Sequence, residues 1–201
     1  GVEEIAQDGA VVLLVLDDET TSANCGILDQ VVALRWVKEN IEAFGGDSDR
    51  ITVFGESAGG GSVLSLLASP LAAGLFQGAI VQSGASSQFL SRAKAELVAA
   101  AVFADLDIEP GDVAGLRAVS ADRLIAAQQA LGMSLLGSVG VMPFAPTDDG
   151  DVLAGTWESA RAAGINGDVA LIIGTTADEM RLFIATDPAA VPAAPPPFAE
   201  W

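Results

Sequence analysis

Short continuous apolar runs alternate along this chain with longer stretches in which apolar residues recur every third or fourth position. Ala10-Val11-Val12-Leu13-Leu14-Val15-Leu16 is unbroken by polar residues and ends in Asp17-Asp18, which suits a strand buried on both faces. After a polar, turn-like stretch, Ile27, Leu28, Val31, Leu34, Val37, Ile41 and Phe44 trace one face of a helix, which Gly45-Gly46 stops. Ile51-Thr52-Val53-Phe54 predicts a second strand. A helical pattern through Val63, Leu64, Leu66 and Leu67 then closes before Pro70. Gly78 to Gln82 reads as a third strand and Val169 to Ile173 as a fourth. Helices are expected over residues 88–104, 119–131 and near 155–164. Apolar strands alternating with helices predict an α/β fold with a mostly parallel sheet and helices on both faces. The stretch from Asp187 to Trp201 carries five prolines and predicts no regular element, so the domain is expected over 1–185 and a proline-rich tail over 186–201.

Composition narrows the function classes. The 201 residues suffice for one domain with a sizeable core. Nine basic residues against 27 acidic ones give a formal charge of −18, a field that repels phosphate backbones and anionic membranes. Nucleic acid is therefore not an expected partner, and the charge reads first as a source of solubility. No apolar run reaches the length of roughly 20 residues that a bilayer span needs, so no membrane span is expected. Gly1 does not open a basic-then-apolar leader, which favours a cytoplasmic location. A single cysteine, Cys25, excludes an intrachain disulfide and a cysteine-rich metal site, and no metal or organic cofactor is expected. Histidine is absent, which removes the commonest general base near neutral pH.

Gly55-Glu56-Ser57-Ala58-Gly59 is the one pattern that carries chemistry, and it sits between a predicted strand and a predicted helix. Gly-x-Ser-x-Gly in that setting is a nucleophile elbow: a tight turn lifts the serine hydroxyl clear of the sheet, and small neighbours let strand and helix backbones approach. Ser57 is the candidate nucleophile. The Ala58 N–H, at the start of the helix, is placed to donate to a developing oxyanion. The competing reading is a Gly/Ser turn that only reverses the chain.

The run from Phe44 to Gly59, Phe-Gly-Gly-Asp-Ser-Asp-Arg-Ile-Thr-Val-Phe-Gly-Glu-Ser-Ala-Gly, resembles the signature of the type-B carboxylesterases, the group that includes the cholinesterases. Asn24 to Gln30 and Ala33 to Val37 resemble the family's preceding helix. Leu75-Phe76 and Ala79 to Gly84 resemble its next strand. Pro143 to Pro146 with Asp149-Gly150 resembles a later loop, and Gly174 to Glu179 with Phe183 resembles the segment that bears the family's acid. The matches keep family order from about residue 9 to 183. The resemblance implies a partial α/β-hydrolase fold and a serine esterase acting on small-molecule carboxylic esters through a Ser–His–Glu triad. It makes Ser57 the nucleophile, Glu179 the acid, Ala58 an oxyanion donor and Ser83 a serine that supports the triad from behind. On the residues alone, Glu179 would read as an acid at a helix N-terminus and Ser83 as a turn serine. Glu56 and Asp178 match no triad position and are expected to make structural hydrogen bonds or ion pairs, and Arg35 with Trp36 is expected to serve helix packing.

The resemblance also implies parts not found among these 201 residues: a His-Gly-Gly loop ahead of the 10–16 strand, an Asn-Tyr-Arg start to the loop after it, and a histidine beyond Glu179. Loss of the base costs such a hydrolase on the order of 10⁶ in turnover, so this stretch by itself is expected to be weak or inactive. A non-catalytic binding module on the same scaffold and a decayed fragment are the alternatives. Sheet edges left open are expected to favour self-association.

Overall fold

The computed structural model describes residues 24–84, 89–140, 142–179 and 181. Among the described residues three parallel strands form a sheet in the order β1 (Thr52–Glu56), β2 (Gly78–Gln82), β3 (Ala170–Gly174). Among the same residues six α-helices accompany them: α1 (Cys25–Asn40), α2 (Ala58–Ala68), α3 (Arg92–Leu106), α4 (Val113–Arg117), α5 (Ala121–Ser134) and α6 (Trp157–Ala162). The predicted strand at 10–16, the loop after it, Phe183 and the proline-rich stretch lie outside the described residues.

Most expected elements appear with shifted ends. The apolar face predicted through Phe44 divides into α1 and a 3-10 turn at Ile41–Phe44, which Gly45 closes with φ 83°. The second strand runs two residues further than its apolar core suggested, to Glu56, because Gly55 and Glu56 stay in register opposite Val81 and Gln82. The helix α4 was not expected. It is five residues long, and Asp112 caps it by accepting from the Gly115 N–H at 2.8 Å.

Register decides which residues face the core. Val53, Ala79 and Leu171 are paired across the sheet, as are Phe54, Ile80 and Ile172. Alternation puts the two rows on opposite faces. The first row, with buried Val81, joins Val63, Leu64, Leu67 and Ala160 in one core under α1, α2 and α6. The second row is open among the described residues: Phe54 is 75% exposed and Ile172 67%. The strands, expected to be buried on both faces, are thus covered here on one. A separate core, built on Val98, Val102, Phe103 and Leu116, joins α3 and α4.

Two buried asparagines tie distant segments together. Asn24 donates to the Thr147 carbonyl and to Asp149 Oδ2, both at 2.8 Å, and its Oδ1 accepts from the Thr147 N–H at 2.9 Å. This fixes the start of α1 to the 147–149 loop. Asn166, at φ 49°, donates to the carbonyls of Leu66 (3.2 Å), Leu67 (3.2 Å) and Ser69 (3.0 Å). Leu66 and Leu67 lie in the last turn of α2 and Ser69 just past it, so Asn166 adds a side-chain donor to the far end of the helix that follows Ser57, where the Leu66 carbonyl also accepts from the Ser69 N–H at 3.2 Å.

Candidate active site

Ser57 is the single residue between β1 and α2. Its backbone lies at φ 52°, ψ −117°, a region that L-residues with a side chain rarely occupy and that costs about 1–3 kcal/mol. The strain is held from both sides: the Ser57 N–H donates to the Gln82 carbonyl at 2.8 Å, and its own carbonyl accepts from Gly61 N–H at 2.9 Å. The bend is also sterically enforced. A Cβ on Gly55 would lie 2.3 Å from the carbonyl carbon and oxygen of Gly59, and one on Gly60 would lie 2.9 Å from the Gly84 backbone. Only glycine fits at either contact, which is the physical content of the motif's spacing.

The hydroxyl is exposed and uncommitted. Ser57 makes no capping bond to α2, and Ser62 and Ser65 spend their hydroxyls on the carbonyls of Ala58 and Gly61. Among the described residues Ser57 Oγ has no hydrogen-bond partner. Ala58 begins α2, so its N–H has no acceptor within the helix and sits at the positive end of the helix dipole.

Ser83 occupies the same place after β2 that Ser57 occupies after β1, and it too has positive φ, 54°. Its N–H donates to the Gly174 carbonyl at 2.8 Å, which seats it over the end of β3. From there Ser83 Oγ donates to Glu179 Oε2 at 2.9 Å. Thr176 adds two more donors to the same oxygen, its N–H at 2.8 Å and its hydroxyl at 3.0 Å. The Glu179 carboxyl is held below the usual glutamate range by the Thr176 N–H first and the Ser83 hydroxyl next; partial burial opposes them and the Thr176 hydroxyl assists. A fixed anion thus stands at the carboxyl end of the parallel sheet, the end at which open α/β folds gather their ligands.

The expected residues fall into two groups. Ser57, Ala58 and Ser83 with Glu179 come together along one sheet edge through the bonds just described. Asp178 pairs with Arg181 at 3.2 Å and Arg35 reaches the Leu71 carbonyl at 3.5 Å, while the Trp36 and Phe44 rings lie 6.1 Å apart; all three arrangements are structural, as expected. Glu56 is exposed at the end of β1 and, contrary to the expected hydrogen bond or ion pair, its side chain makes neither among the described residues. Thr176 was missed. Its signal was present as Thr-x-x-Glu, the spacing at which a glutamate reaches back to the N–H of a capping residue. A groove of about 450 Å³ runs between α1, α2 and β1, lined in part by Leu34, Val37, Phe54 and Ser62. Neither Ser57 nor Glu179 lines it. Among the described residues no cluster of three or more His, Cys, Asp or Glu could hold a metal, and no helix is long and apolar enough to cross a membrane.

Comparison with known proteins matches residues 9–194 to the model of the carboxylesterase family. The chain is 45% identical over 170 residues to para-nitrobenzyl esterase of Bacillus subtilis (strain 168), covering 85% of this chain and 35% of that protein. It is 35% identical over 180 residues to acetylcholinesterase of Leptinotarsa decemlineata, covering 84% of this chain and 28% of that one. Among solved structures, a PNB esterase superposes with a TM-score of 0.79 at 43% identity, over 88% of this chain and 38% of its own. The chain therefore spans about a third of the length of these relatives.

Proposed function

The chain belongs to the carboxylesterase family, and we propose that it carries the nucleophile and the acid of a serine esterase that hydrolyses small carboxylic esters. The observation that carries this reading is the free Ser57 hydroxyl on a strained bend, 2.8 Å by its N–H from the strand whose next residue, Ser83, holds Glu179. In the proposed reaction a base removes the Ser57 proton as Oγ attacks the ester carbonyl. The tetrahedral oxyanion accepts from the Ala58 N–H, the alcohol leaves with a proton from the conjugate acid, and water then releases the acyl group from Ser57.

The base is the component these residues do not supply. Ser57 follows β1 and Ser83, which holds Glu179 at 2.9 Å, follows the adjacent β2. An imidazole ring would supply the missing base with one nitrogen toward Ser57 and the other donating to the Glu179 carboxylate. No histidine occurs in the 201 residues, and a carboxylate of depressed pKa is a poor base for a serine hydroxyl. We therefore expect little turnover from this stretch alone. The open strand edges support the further expectation that it self-associates, which sedimentation over a concentration series measures.

The test is hydrolysis of p-nitrophenyl acetate with and without added imidazole, by the wild-type chain and Ser57→Ala. The expected result is an imidazole-dependent increment in the wild type beyond that in Ser57→Ala. Equal increments in both would remove Ser57 from the reaction.

A further inference from the structure

The three donors around Glu179 all converge on Oε2, and among the described residues none meets Oε1. Two of the three come from Thr176. A threonine three residues ahead of a glutamate ordinarily serves a capping box, in which the hydroxyl accepts from the glutamate's backbone N–H while the carboxylate accepts from the threonine's. Here only the second half of that exchange is present among the described residues: the Thr176 hydroxyl instead donates to Oε2 at 3.0 Å, beside its own N–H at 2.8 Å. It is spent on the carboxylate, not on the helix. Ser83, 96 residues away in sequence, completes the set from the neighbouring strand end.

We propose that Thr176 is a positioning residue: with Ser83 it pins one oxygen of Glu179 so that the other is the one offered to the base. The inference rests on the reading of Glu179 as the acid of the site. A carboxylate free to rotate presents either oxygen, in several directions, and an incoming ring nitrogen then has to order it on binding. One held through Oε2 by donors from two segments has that ordering already done. The neighbouring charges do not compete for this role, since Asp178 is paired with Arg181.

The experiment compares the wild-type chain, Thr176→Val and Thr176→Ser by carboxyl ¹³C NMR and by imidazole-dependent p-nitrophenyl acetate turnover. The Glu179 pKa is expected to rise in Thr176→Val toward the ordinary value of about 4.3 and to return to the wild-type value in Thr176→Ser. The imidazole-dependent turnover is expected to fall in the first variant and recover in the second. A threonine that merely supports the turn would leave the carboxyl titration of Thr176→Val at wild type, and that result overturns the proposal, as does an altered titration with undiminished turnover. In the wild type itself, the Thr176 amide resonance is expected to titrate together with the Glu179 carboxyl; independent behaviour would also overturn it, whether or not the valine variant folds. Absence of Ser57-dependent turnover in the wild type would instead sink the esterase reading, while the titrations still report on the clamp.

Discussion

The two halves of the site are made by different physics. The elbow around Ser57 is made by exclusion: Gly55 against Gly59 and Gly60 against Gly84 leave no room for a methyl group, and α2 behind them is buried from Gly60 to Ala68 apart from Ser62. The acid turn around Glu179 is made by attraction: three hydrogen bonds to one oxygen at the end of an edge strand whose residues are mostly exposed. A sterically built bend holds its geometry whatever the pH. A turn built on a carboxylate holds its geometry only while the carboxylate is charged. The Ser57 bend is thus rigid by packing, and the Glu179 turn is rigid by charge.

That contrast breaks most sharply at Gly55. Gly55→Ala drives a methyl group into backbone that cannot move without displacing β1 from α2, and a loss of roughly 3 kcal/mol or more is expected in urea denaturation. Next is Asn166→Ala, which removes the side-chain donor shared by the carbonyls at the end of α2 and should cost about 1–3 kcal/mol on the same measurement. Ser57→Gly acts in the other direction: relief of the strained φ is expected to stabilise the chain by about 1 kcal/mol while abolishing any Ser57 chemistry. Failure of that gain would mean the bend is not strained in solution.

The smallest effect belongs to the acid turn and depends on pH. Because the folded-state pKa of Glu179 is depressed, its stabilisation is present above the unfolded value of about 4.3 and is lost as pH falls through the lower folded value. Thermal melts of wild type and Ser83→Ala are expected to differ above that window and to converge below it. The difference between wild type and Gly55→Ala should persist across the same range. A pH-independent Ser83→Ala difference would show that the turn, too, is held by packing.

The elbow was legible in the sequence because sterics write themselves into residue identity: at Gly55, where a Cβ would meet the Gly59 backbone, only glycine fits and glycine stands, two residues before Ser57. The elements nearest it were legible as well, since an apolar run and a three-four periodicity are local signals. Asn24 and Asn166 were not, because each acts on backbone some 97 to 123 residues away and no spacing announces such a partner. Glu179 was found through family resemblance. The residues alone suggested an acid at a helix N-terminus; among the described residues the carboxylate instead accepts from the Thr176 N–H locally and from Ser83 at long range. The open row of Phe54, Ile80 and Ile172 had no local signature either, because apolar strand residues look the same in sequence whether one face or two are covered.

Peptide mapping after treatment with a fluorophosphonate, with and without imidazole, shows whether the elbow singles out one hydroxyl. An adduct is expected on Ser57 that forms faster with imidazole and is missing in Ser57→Ala, with Ser62, Ser65 and Ser83 unmodified. Adducts spread over those serines, or none on Ser57 at any imidazole concentration, would mean that it does not.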